Sequence, residues 1–174
     1  SSWSRHAENA VVIDSMLPSY GGVIAAQTGH ISDHEAGLEF TGHKVIALPV
    51  YDGKLRAEDV WMYMKDYWQD AVTSILSSRQ VYISYPTEFG TLYTKRELVE
   101  LASVCRWYNI PLYIDGARLG YGLMSPKCDI TLPELAQLCD VFYIGGTKVG
   151  ALFGEAAVLQ KHNMPRYFST IAKQ

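Results

Sequence analysis

Lys148 follows the apolar run Val141-Phe142-Tyr143-Ile144 and two glycines, Gly145 and Gly146. A run of that kind reads as a buried strand, and the glycine bend presents the lysine beside an apolar wall. Desolvation disfavours an ammonium, so the neutral, nucleophilic amine becomes accessible, which is what Schiff-base chemistry with a carbonyl requires. A phosphate-binding lysine is the rival reading. The P-loop order needs a second glycine immediately before the lysine, and here Thr147 stands there.

Two other strand ends carry polar residues. Asp115-Gly116-Ala117-Arg118 follows Leu112-Tyr113-Ile114, which puts a carboxylate at the strand terminus with an arginine reaching back from the next turn. Taken alone, Asp115 could equally cap a following helix. His30 comes soon after the run Val23-Ile24-Ala25-Ala26. Alone it reads as a surface or satisfied core histidine. His30 and His34 would share a helix face and could bind zinc, but the spacing matches neither His-Glu-x-x-His nor its inverse and no third ligand is evident, so no metal is expected.

The elements that must position these residues alternate. Glu8 to Leu17 is spaced as a helix, Val23–Ala26 as a strand, and Asp33 to Phe40 as a short helix. Lys44 to Pro49 reads as a strand, Glu58 to Ser77 as a helix, and Val81–Ser84 as a strand stopping before Pro86. Thr94 with Glu97 forms a capping-box pattern ahead of the apolar Leu98, Leu101 and Val104. Strand Pro111–Ile114, helix Leu132–Cys139, strand Val141–Ile144 and strand Ala156–Leu159 complete the series. The fold class is therefore α/β, a mainly parallel sheet with helices on both faces, because parallel strands need crossover connections. Ligands in such sheets bind beyond the carboxyl ends of the strands, where His30, Asp115, Arg118 and Lys148 can converge. An acid for a pyridine nitrogen and a lysine for an aldehyde are the two protein groups that pyridoxal phosphate requires, and Asp115 and Lys148 suit them, with His30 free to stack on the ring face.

Composition narrows the class. The chain has 174 residues, 48% hydrophobic and 12% aromatic, enough to fill the core of one domain. A net charge of -3 gives no reason to expect a nucleic acid or an anionic membrane as partner. No apolar run is long enough to span a bilayer, and Ser1–His6 lacks the pattern of a signal peptide, so a cytoplasmic protein is expected. Cys105, Cys128 and Cys139 are odd in number and widely spaced, which reads as reduced thiols. Lys95-Arg96 reads as solvated helix surface, His43 and His162 as surface residues, and the tyrosines and tryptophans from 51 to 108 as packing. The chain lacks an initiator Met and enters the periodic stretch Asn9–Ile13 almost at once, as a segment of a larger protein would.

Several stretches together resemble one family. They are Val23-Ile24-Ala25-Ala26-Gln27-Thr28-Gly29-His30, Thr41-Gly42-His43-Lys44-Val45, Pro86-Thr87-Glu88-Phe89-Gly90-Thr91-Leu92-Tyr93, Asp115-Gly116-Ala117-Arg118 and Gly145-Gly146-Thr147-Lys148-Val149-Gly150-Ala151-Leu152-Phe153-Gly154-Glu155. The order and content resemble the threonine aldolases of the beta-eliminating lyase group, fold type I pyridoxal-phosphate enzymes, from about Asn9 to Leu159. The resemblance implies the large domain of the aminotransferase-like fold, spanning 1–174 as a single cofactor-binding segment, with the N-terminal arm and C-terminal small domain absent. It implies a homo-oligomer, dimer or tetramer, that cleaves β-hydroxy-α-amino acids such as threonine into glycine and an aldehyde. In that reading Lys148 bonds the cofactor, Asp115 meets the ring nitrogen, His30 stacks on the ring and takes part in catalysis, Thr147 lies near the phosphate, and Arg118 meets the substrate carboxylate. The alternatives are another pyridoxal-phosphate beta-eliminating lyase or a truncated, non-catalytic domain. Two departures stand out. Arg5-His6-Ala7-Glu8 occupies the place of the family's Gly-Thr phosphate cup, and Glu88 stands where some members have His, leaving His30, Glu88 or water as the base.

Overall fold

Runs such as Gly22–Ala26 and Leu112–Gly116 are buried at every position, and a strand of that kind must be covered on both faces. The computed structural model, which describes residues 12–17, 21–33, 43–70, 79–150 and 155–159, has that arrangement. In chain order the elements are β1 (Gly22–Ala26), α1 (His30–Asp33), β2 (Lys44–Leu48), α2 (Ala57–Asp70), β3 (Arg79–Ser84), α3 (Lys95–Trp107), β4 (Leu112–Gly116), α4 (Leu119–Met124), α5 (Leu132–Leu138), β5 (Val141–Gly145), a 3-10 turn (Thr147–Val149) and β6 (Glu155–Leu159). Residues 12–16 are also helical.

The strands form one sheet in the order β2-β1-β3-β4-β5-β6. All neighbours are parallel except β5 and β6, which pair antiparallel. The mainly parallel α/β class expected from the alternation is therefore present. The chain leaves β1 for β2 on one side and returns to β3 on the other, so the strand order reverses beside β1. Crevices for ligands open at such reversals.

Strand alternation splits the core in two. On one face Ile24, Val81, Ile83, Leu112, Ile114 and Phe142 pack with Val60 and Met64 of α2, Leu98 and Leu101 of α3, and Leu135 of α5. On the other, Val23, Ala25, Tyr82, Tyr113, Val141 and Tyr143 pack with Val12 and Ile13 and with Ile31 of α1. Helices thus cover both faces. The capping box read at Thr94 and Glu97 is present, and Leu98, Leu101, Ala102 and Cys105 form the buried stripe of α3. Asn109, at a φ of 52°, turns the chain out of that helix. A second capping box, Thr131 with Glu134, starts α5.

Two differences from the sequence reading concern the frame. Helix α4 was not expected, because Gly120 and Gly122 are poor helix formers; it forms where an added Cβ at Gly122 would sit 3.0 Å from Pro86 Cγ, so the close packing needs glycine. His43 is buried at 4% exposure, not on the surface. Its two ring nitrogens lie 3.2 Å from the Gly21 carbonyl and from Asp14 Oδ1, which lets a polar ring sit in the interior. The helix expected from Glu58 to Ser77 is described as far as Asp70; positions 71–78, the stretch from His34 to Phe40, and His162 lie outside the described residues. Among the described residues no helix is long and apolar enough to cross a membrane, and all three cysteines are free thiols.

Candidate active site

Strands β4 and β5 are neighbours, with Asp115 opposite Tyr143 and Gly116 opposite Ile144. The segments that leave them run so close that side chains are excluded. A Cβ on Gly116 would collide with the Tyr143 carbonyl oxygen, and one on Gly145 would lie 2.7 Å from the Ala117 carbonyl oxygen. Gly116 and Gly145 are therefore a steric requirement of this contact. Further along, a Cβ on Gly120 would sit 3.2 Å from Val149 Cγ1, so α4 packs on the 3-10 turn that bears Lys148. The Asp115–Arg118 and Lys148 segments thus lie side by side.

Asp115 is 3% exposed. The Tyr82 hydroxyl donates to its Oδ2 at 2.5 Å, and the Ala117 N–H donates to its Oδ1 at 2.9 Å. Both carboxyl oxygens therefore have a hydrogen-bond partner. Burying such a group is costly unless donors surround it. The alternative role as a helix cap does not hold: Arg118 is the N-cap of α4 and no side chain caps that helix. Tyr82 is itself held edge-on against Tyr113, ring centroids 5.3 Å apart.

Lys148 differs from expectation. It is exposed rather than desolvated, because the apolar wall ends at Ile144 and the 3-10 turn carries the lysine past it before Gly150, at a φ of 92°, closes the turn. Arg118 is also exposed. It lines an open groove of about 500 Å³ with Glu88, Phe89 and Tyr121. His30 opens α1 at the carboxyl end of β1, with the next residue, Ile31, buried on the same face of the sheet as Tyr82 and Tyr113. The side chains of His30 and Thr147 lie outside the described ones. Among the described residues no three His, Cys, Asp or Glu side chains are grouped to hold a metal ion.

Two site features escaped the sequence reading. Tyr82 was taken as packing, yet its hydroxyl is a partner of Asp115. Ser84 donates to Glu88 Oε1 at 2.6 Å. Period-two alternation on β3 puts Tyr82 and Ser84 on one face, but which β4 residue they meet depends on register, which no local pattern encodes.

The donor set fits pyridoxal phosphate. A buried carboxylate at a strand end is what a pyridine N–H needs, and a lysine stands on the adjoining turn. Comparison with known proteins agrees. The chain is 28% identical to a low specificity L-threonine aldolase of Pseudomonas aeruginosa and 30% identical to one from another Pseudomonas, covering 97% of this chain and 49% of each relative. It superposes on the threonine aldolase of Leishmania major with a TM-score of 0.87 and 40% identity, over 97% of this chain and 49% of that one. Aspartate aminotransferase from Thermus thermophilus, at 16% identity and a TM-score of 0.70, shares the fold. The chain therefore spans about half the length of the curated relatives it matches. Since the pattern of the beta-eliminating lyases matches residues 3–164, nearly the whole sequence, this chain belongs to the beta-eliminating lyase family.

Proposed function

We propose that this chain is the large, cofactor-holding domain of a pyridoxal-phosphate-dependent aldolase that cleaves β-hydroxy-α-amino acids of the threonine type to glycine and an aldehyde. The observation that carries the reading is the buried Asp115 carboxylate, held by Tyr82 and Ala117 at a strand end beside the segment of Lys148. The names borne by the Pseudomonas and Leishmania relatives supply the reaction. When bound, pyridoxal phosphate supplies a protonated ring that draws off the electrons left at the α-carbon.

The chain's own residues do the rest. The Lys148 amine, exposed on its 3-10 turn, is the group that would hold the cofactor's aldehyde. Asp115 would hold the ring nitrogen and favour its protonated form. His30 would stack on the ring and take part in moving the β-hydroxyl proton, Thr147 would offer a hydroxyl to the phosphate, and Arg118, at the groove, would pair with the substrate carboxylate. The protein is further proposed to be a cytoplasmic homo-oligomer, dimer or tetramer, with a small amino acid as its partner.

The test is to incubate the full-length protein with pyridoxal phosphate and L-threonine and assay for glycine and acetaldehyde in equal amounts. A second reading follows from the description of the family itself. If serine is converted to pyruvate and ammonia while threonine yields no glycine, the protein is an eliminating lyase built on the same lysine and aspartate.

A further inference from the structure

Donors on two different elements meet the Asp115 carboxyl. The Tyr82 hydroxyl comes from the neighbouring strand β3 and donates to Oδ2 at 2.5 Å, while the Ala117 N–H, on the segment leaving β4, donates to Oδ1 at 2.9 Å. The last torsion of an aspartate is broad, so a carboxyl can swivel unless something fixes its plane. A donor on each oxygen fixes it. The Ala117 bond is local, two positions along the chain, and holds one oxygen; the Tyr82 bond spans 33 positions and holds the other.

Tyr82 is placed to impose a direction. It is 1% exposed, and its register partner on β4 is Tyr113, two residues before Asp115, so the three side chains share one face of the sheet. The Tyr113 ring meets it edge-on at an interplanar angle of 81°, and Tyr143 and Val141 belong to the same packed cluster. A ring packed in this way brings its hydroxyl to one point beside Asp115. Hydrogen bonds weaken steeply as their angle departs from straight, so a carboxyl held in one plane grips a ring N–H better than one that swivels. We infer that Tyr82 is a positioning residue for the cofactor: it turns the Asp115 carboxyl to meet the pyridine nitrogen and so strengthens that one bond. This rests on the pyridoxal-phosphate reading above, which pairs Asp115 with the ring nitrogen and leaves open what aims Asp115. The alternative is that the Tyr82 bond serves the stability of the core alone, in which case its loss weakens the site without regard to the ring nitrogen.

The experiment compares pyridoxal phosphate with its 1-deaza analogue, in which C–H replaces the ring nitrogen while the aldehyde, hydroxyl and phosphate are kept. Dissociation constants for both are measured by equilibrium dialysis against full-length protein stripped of cofactor. The wild-type protein is expected to bind pyridoxal phosphate more tightly than the analogue. Tyr82→Phe is expected to lose affinity for pyridoxal phosphate roughly tenfold, the order of a hydrogen bond to a charged group, with affinity for the analogue unchanged. Tyr82→4-aminophenylalanine returns an N–H donor to the same place and restores the preference. Should Tyr82→Phe fail to fold, Tyr82→4-fluorophenylalanine, which fills the space of the hydroxyl without a proton to donate, takes its place with the same expectation. A ratio of the two constants that matches wild type overturns the inference, whether both affinities hold or both fall together, the second being the core-stability result. Wild-type protein that binds pyridoxal phosphate no better than the analogue overturns the pairing of Asp115 with the ring nitrogen instead, so the two failures are distinct.

Discussion

Tyr82→Phe removes one oxygen from the interior and leaves the ring in place. Tyr82 is 1% exposed and Asp115 3%, so water cannot replace the lost donor without opening the sheet. The edge-on contact with Tyr113 persists, and no cavity of a methyl or more is made. The cost is that of depriving a buried charged acceptor of a hydrogen bond, about 1.5–3 kcal/mol. Against a total stability of about 5–15 kcal/mol for a typical domain, that is a large fraction. Urea unfolding of the full-length protein, followed by far-UV circular dichroism, measures it. At an m-value of about 2 kcal/mol/M, unchanged by the substitution, the midpoint falls by about 1 M. A double-mutant cycle with Asp115→Asn returns a coupling of at least about 0.5 kcal/mol, as for residues in direct contact. A midpoint shift below about 0.2 M, or a cycle with no coupling, refutes the argument that Asp115 is a buried carboxylate dependent on Tyr82.

Gly116→Ala forces a methyl group against the Tyr143 carbonyl and should destabilise by about 1–3 kcal/mol while weakening cofactor binding, measured by thermal melting with and without pyridoxal phosphate. Equal melting temperatures for variant and wild type would mean the two exit loops do not touch. The Lys95 side chain at 2.7 Å, together with Thr131, holds the exposed Glu134 carboxyl well below its ordinary value of 4.5, to about 2. Its folded value is depressed, so its contribution is present above about pH 4.5 and fades as the pH falls toward about 2. Glu134→Gln should therefore lower the urea midpoint at pH 7 and converge on wild type in acid; a difference that stays constant with pH contradicts this.

What could be read from the sequence was whatever is local. Apolar runs with Gly or Pro at one boundary identified β1, β3, β4 and β5, and Thr94-x-x-Glu97 identified the start of α3, because strand burial and helix capping depend on neighbours in the chain. The antiparallel direction of β6 was not legible, since Ala156–Leu159 has the same pattern run either way. His43 looked like a surface residue because its partners, Asp14 and Gly21, are 29 and 22 positions away. The exposure of Lys148 was missed for a different reason: two glycines announce a bend, but not that the bend is a 3-10 turn leading away from the wall. At the site, the types Asp115 and Lys148 were evident, whereas the Tyr82–Asp115 contact came from the register between β3 and β4.

The proposed role of Lys148 in joining the cofactor is open to a direct chemical test. Full-length protein is mixed with pyridoxal phosphate, reduced with borohydride, digested and mapped by mass spectrometry. The expected result is a visible band before reduction and the cofactor's added mass on the peptide containing Lys148, with both lost in Lys148→Ala. A label on a different lysine, or a band that survives Lys148→Ala, contradicts it.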